Sequence, residues 1–187
     1  MGEIILDREL DLDEVLAFAR RKHGQQLRAD GSPYIEHPVR VSEIAKNYKQ
    51  SKNIKIIMAA CLLHDVLEDT YTSYRELVDE FGEVVASLVM EVTSASFMPK
   101  LIGKQTYLAQ KMRYMSSYAL VIKLCDRLDN ISDLKGLPVE RIQKTYYDTI
   151  YLIDEIEDKR VLTESQENLV TAIRLQLNNI KEKYKFD

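Results

Sequence analysis

Apolar and polar positions along the chain recur with helical spacing over most of its length. Asp11 to Glu14 has the form of a capping box and opens a helix to about Lys22. Leu12, Val15, Leu16 and Ala19 form its apolar stripe. Residues 24–37 lose the period and contain Asp30-Gly31-Ser32-Pro33, which predicts an ordered loop. Pro38 suits the first turn of a second helix, to about Tyr48. A third runs from about Ile54 to Glu68 and is apolar almost all round, so it should be central and buried. Ser73 and Glu76 make a second capping box, for a short helix ending near Gly82, and Gly82 to Thr93 continues as another.

A break near Ser94 to Pro99 leads into a more basic stretch with Lys100, Lys104, Lys111 and Arg113. Residues 117–134 predict a strongly apolar helix. The β-branched run Leu120 to Leu124 would suit a strand alone, but it sits inside that helical period. Pro138 starts a helix to about Asp158, and Thr163 with Gln166 caps the last one. The expectation is an all-α bundle of about eight or nine helices without a strand.

Composition supports this. Only 6 Gly and 4 Pro stand among 187 residues, too few for the tight turns of an all-β fold. Apolar residues at 45% and charged residues at 30% fit a single globular domain over 1–187 and argue against wholesale disorder. The two cysteines, Cys61 and Cys125, lie in apolar runs and read as buried residues of a reducing compartment. The acidic N-terminus lacks a secretory pattern, and Met1-Gly2 lacks the hydroxyl residue expected for myristoylation. No apolar run approaches the roughly 20 residues of a membrane span. The expected location is cytoplasmic, with no membrane partner. A net charge of −4 disfavours a nucleic-acid partner, while an anionic small molecule stays compatible if a metal or local basic patch meets it.

The candidate chemistry is an anomaly in the apolar third helix. His64, Asp65, Glu68 and Asp69 crowd its end, where ionisable groups are costly to bury without partners. On a continuous helix 64 and 68 lie one turn apart, as do 65 and 69. Three carboxylates on about one side want a cation. Asp126 repeats the pattern after another apolar run, and His37 is a further candidate. Two imidazoles and two carboxylates suit Mn²⁺, Fe²⁺ or Zn²⁺. With 3 histidines in all, one metal with open positions is expected. Plainer readings stand beside this. Glu68 and Asp69 also fit an exposed helix end, Asp126 a surface ion pair with Lys123 or Arg127, and His23 a helix C-terminal residue facing the dipole.

Four blocks, RKHGQQLRADGSPYIEHP, AACLLHDVLEDT, FGEVVASLVMEVT and KLCDRLDN, occur here in order. In order and spacing they resemble the HD-domain hydrolases of the RelA/SpoT group, in particular its stand-alone small alarmone hydrolases. The likeness covers roughly residues 10–158. It implies His37, His64, Asp65 and Asp126 as ligands of one metal, usually manganese, and Glu68 and Asp69 as the pair that activates water. By the same likeness, Asn130 contacts the substrate's sugar and Arg28 its guanine. Lys100 and Lys104 are implied at phosphate, and Tyr146 or its neighbour Tyr147 at the substrate. The implied reaction removes the 3′-pyrophosphate of guanosine tetra- or pentaphosphate, giving GDP or GTP and pyrophosphate.

Arg28-Ala29 departs from the Arg-Lys the family often carries. That keeps open the same chemistry on adenine alarmones or the 2′-phosphate of NADPH. Readings of another class are a non-catalytic alarmone-binding module and an antitoxin-type partner of a synthetase. A homo-oligomer is compatible with all of them. The helix after about residue 160 matches no motif of the family.

Overall fold

The structure, a computed structural model, describes residues 9–94 and 97–186, apart from the Pro99 side chain. Residues 1–8, on which the readings of N-terminal processing bear, and 95–96 of the expected break lie outside the described residues. Most of the described residues are helical, in ten helical segments. The only β-type pairing among them is an isolated bridge between Leu27 and Pro33. None of these helices is long and apolar enough to cross a membrane. The chain divides into two compact units, up to Thr93 and from Ser94.

The first unit holds α1 (Leu12–His23), α2 (Glu36–Tyr48), α3 (Ile54–Leu63), α4 (Val66–Asp69) and α5 (Tyr74–Val92). Helix α3 is its centre and packs against α1, α2 and α5. Its residues Ile56, Ile57, Ala59, Ala60, Cys61, Leu62 and Leu63 are all buried, as the all-round apolar pattern requires. Asp11 caps α1 by accepting from the Asp13 amide at 2.8 Å, and Ser73 caps α5 by accepting from the Glu76 amide at 3.1 Å. Gly82 has φ +81° and ψ 163° and breaks the helical path within α5, where two successive helices are predicted. Phe18 of α1 meets Phe81 of α5 edge to face, centroids 5.0 Å apart.

The predicted third helix differs. It ends at Leu63 and restarts at Val66, with His64 and Asp65 in the joint. The reason is local. The His64 amide reaches back only to Cys61 O, at 3.5 Å, and the His64 Nδ1 takes the same carbonyl at 2.7 Å. The side chain competes with the helix for that acceptor, which loosens the ladder.

The second unit holds α6 (Met98–Ile102), α7 (Lys104–Tyr114), α8 (Ser117–Ser132), α9 (Val139–Lys159) and α10 (Glu164–Tyr184). Helix α8 is buried along most of its length and packs on α9 and α10, while α7 lies on α9. The run Leu120 to Leu124 is helical within α8. The basic stretch forms α6 and α7, parted at Gly103 with φ +88°. The Thr163–Gln166 capping box of α10 is present as predicted. Gln166 also donates to Ser117 O at 3.0 Å, tying the starts of α10 and α8 together. Arg160 Nη1 donates to Met112 O, Arg113 O and Met115 O at 2.6–3.1 Å, which satisfies carbonyls left over at the end of α7.

Candidate metal centre

The joint between α3 and α4 sets the directions of His64 and Asp65. Adjacent residues on a continuous helix point about 100° apart and do not face each other. Here the break turns His64 and Asp65 toward one point, with Nε2 of His64 2.8 Å from Oδ2 of Asp65. His37, in the first turn of α2, is 2% exposed and brings its Nε2 to 3.7 Å from the same oxygen. The two imidazoles meet edge to face at 5.1 Å. The Tyr34 hydroxyl donates to Asp65 Oδ2 at 2.5 Å. Two imidazole nitrogens and a carboxylate oxygen, one from α2 and two from the joint, therefore converge within the first unit.

The protonation of this cluster follows from its partners. A carbonyl only accepts, so the Nδ1 of His64 carries the proton it gives to Cys61 O. In neutral imidazole the Nε2 then presents a lone pair. That lone pair faces the carboxylate oxygen of Asp65 at 2.8 Å. Two acceptors at that distance repel unless a proton or cation lies between them. A metal-binding histidine usually anchors the N–H of its other ring nitrogen on a carbonyl or carboxylate, as Nδ1 of His64 is anchored on Cys61 O. The donor set fits a divalent ion of borderline hardness.

Glu68 and Asp69 stand on α4 and are exposed, in contrast to the buried histidines. The Asp69 amide bonds Asp65 O at 2.9 Å, so one helical turn still links the two. Although much of Asp69 reaches solvent, partial burial of its carboxyl, and next the Asp65 charge, push it up from the usual carboxylate value. His23, the Tyr34 hydroxyl and His64 pull it the other way. Gln26 Nε2 donates to Asp69 O at 2.7 Å, and Thr70 Oγ1 donates to Val66 O at 2.6 Å. The last turn of α4 is thus fixed from outside and from within.

In the second unit Asp126 is 8% exposed on α8. Lys123 Nζ lies 3.0 Å from its Oδ2, and Asn130 Nδ2 donates to its Oδ1 at 2.5 Å. The pairing with Lys123 is therefore real, but it is a largely buried pair and not the surface one that the sequence also allowed. Cys61 and Cys125 are free and fully buried. Burial, and then the charge of Asp126, push the Cys125 thiol well up, so it stays protonated.

The other sequence candidates are spread out. Arg28 is half-buried in the loop between α1 and α2, where its amide bonds Ser32 O at 2.9 Å. Lys100 and Lys104 are exposed on α6 and α7. Tyr146 is 5% exposed and packs against Tyr147 and Phe186, whereas Tyr147 is 42% exposed. His23 ends α1, but its Nδ1 lies 2.8 Å from Gln26 Oε1, a side-chain bond that a reading in terms of the helix dipole does not foresee. Sequence reasoning gave no role to Tyr34 or Gln26. Their signal was position within the loop that delivers His37, since both lie on the two arms of its narrow hairpin.

A family model for the HD domain matches residues 15–152. A guanosine-3′,5′-bis(diphosphate) 3′-pyrophosphohydrolase of Homo sapiens is 39% identical over 140 residues, covering 71% of this chain and 77% of that protein. The Danio rerio protein of the same name is 35% identical with the same coverage. The Aquifex aeolicus enzyme of that name is 34% identical over 171 residues, and this chain spans 23% of its length. Among solved structures, a metazoan orthologue of SpoT described as hydrolysing ppGpp matches with a TM-score of 0.73 and 28% identity, over 96% of this chain and 98% of that one.

Proposed function

The chain belongs to the HD-domain family, and on that footing we propose that it removes the 3′-pyrophosphate of guanosine tetra- and pentaphosphate in a metal-dependent hydrolysis. The observation that carries this is the broken helix that aims His64 and Asp65 at one point beside His37. The names of the relatives supply the substrate class.

In this reading His37, His64, Asp65 and Asp126 hold one divalent ion, Mn²⁺. His37, His64 and Asp126 are all buried and each offers one ligand atom. The bound ion supplies Lewis acidity at a phosphoryl oxygen and lowers the pKa of water. Glu68 orients the attacking water and takes its proton, supported by Asp69. Water oxygen joins the 3′-linked phosphorus, the bond to O3′ breaks, and the nucleotide leaves with a 3′-hydroxyl. Asn130 keeps Asp126 in place and contacts the sugar, and Tyr146 is assigned to the substrate by the family likeness. Arg28 meets the base, while Lys100 and Lys104 offset phosphate charge. The partner is this small nucleotide, in the cytoplasm, without nucleic acid or membrane.

The test is chromatography of ppGpp incubated with the Mn²⁺-loaded protein, with ppApp and NADPH in parallel. GDP and pyrophosphate formed fastest from ppGpp support the reading. Metal bound without GDP overturns the substrate.

A further inference from the structure

Gln26 sits at a junction. Its Nε2 donates to the Asp69 carbonyl, so its Oε1 is the acceptor end and faces His23 Nδ1 at 2.8 Å. The proton of that bond therefore belongs to Nδ1. The Gln26 carbonyl accepts from the Tyr34 amide at 2.9 Å. The Tyr34 ring leans on the His23 ring, centroids 4.8 Å apart, and its hydroxyl reaches Asp65. One imidazole thus touches two routes into α4: through Gln26 to Asp69 at its end, and along Tyr34 to Asp65 at its start.

His23 is 3% exposed, and its Nε2 is buried with no hydrogen-bond partner among the described residues. A ring kept there for packing alone would be better apolar, because a buried nitrogen without a donor costs stability. What an apolar ring lacks is the Nδ1 proton. That proton fixes the sense of the Gln26 amide. A flipped amide would set its oxygen against the Asp69 carbonyl, two acceptors in repulsion.

We propose that His23 is a positioning residue for the Glu68–Asp69 pair, acting through Gln26 on the backbone of Asp69. This rests on the reading of that pair as the water-handling carboxylates. The link spans Gln26 and Asp69, far apart in sequence, and joins the end of α1 to the last turn of α4. Its work is to hold the angle of that turn, and it touches neither water nor substrate.

The full Mn²⁺-loaded chain tests it with His23→Leu, His23→Asn, Gln26→Met and the double variant His23→Leu/Gln26→Met. His23→Leu should lower kcat about tenfold or more, since small misplacements of catalytic groups carry costs of that order. KM and bound Mn²⁺ should hold, and Tm should not fall. Amide exchange over residues 66–72 should quicken. His23→Asn keeps a short N–H donor and should recover most of kcat. Gln26→Met should match His23→Leu, and the double variant should be no worse than either, because both break one link.

A wild-type kcat in His23→Leu overturns the proposal, as does a joint loss of Tm and kcat that His23→Asn does not relieve. If His23→Leu does not fold, the half-buried Gln26→Met carries the same comparison. Exchange separates the two layers of inference. A wild-type protein that leaves ppGpp intact, with faster exchange in the variant, sinks the substrate and upholds the hold on Asp69. An active wild type with unchanged exchange in the variants sinks the positioning role.

Discussion

His37 and His64 are buried while Glu68 and Asp69 face solvent, a contrast that fits the roles proposed for them. Ligands gain from a dry, fixed setting, whereas a group that trades protons with water needs access to it. His64→Ala should therefore lose bound metal and turnover together. Glu68→Gln should keep the metal and lower kcat by about 10²–10⁴-fold, the usual reach of a general base. Metal analysis beside steady-state kinetics distinguishes the two. Asp69 makes a prediction in pH. Its folded pKa is raised above the value of the unfolded chain, so the folded state binds that proton more tightly. The metal-free protein then loses stability from this group as pH rises from about the unfolded value, near 3.9, through the raised one. Asp69→Asn should raise the Tm of the chelated protein at pH 7 and leave it nearly unchanged at pH 3, while lowering turnover of the loaded enzyme. Thermal unfolding at the two pH values checks it.

The helices show how far local pattern reaches. Ser73, Pro138 and the Thr163–Gln166 box announced their helix starts, because a cap is written in residues a few positions apart. The burial of α3 and α8 followed from their apolar periods. The joint at His64–Asp65 was not legible. Leu62 to Glu68 reads as uninterrupted helix, and the break coincides with a side-chain bond to Cys61 O that no propensity encodes. The narrow hairpin that carries Tyr34 was likewise hidden, since its pairing of Leu27 with Pro33 joins residues without strand character. The proposed ligands rest on the linked motifs of the family likeness, whereas the way the chain presents them is visible only in the fold. Gly82 gives a test at this scale. Its φ of +81° with ψ of 163° lies where side chains are strained, yet nothing stands within 4 Å of a Cβ added there. Gly82→Ala should cost about 1–3 kcal/mol through backbone strain alone. Denaturant unfolding measures it, and a neutral result would mean that the kink relaxes.

For the whole molecule the puzzle was charge. A chain of net −4 is proposed to bind a nucleotide that is itself highly anionic. In the proposed site a divalent ion held by His37, His64, Asp65 and Asp126 would reverse the local sign, and Arg28, Lys100 and Lys104 would add to it. Binding that needs the folded ligand set also stabilises the fold, by RT ln(1 + [L]/Kd). A chelator should therefore abolish turnover and lower Tm, and at Mn²⁺ about a hundred times its Kd the difference should be about 2.7 kcal/mol. The measurement that bears most directly on the central claim is product analysis of ppGpp incubated with the Mn²⁺-loaded chain and with its Glu68→Gln variant. The account predicts GDP and pyrophosphate in equal amounts from the first and intact ppGpp from the second, at equal metal content. Intact ppGpp from both, with metal bound in both, would contradict it.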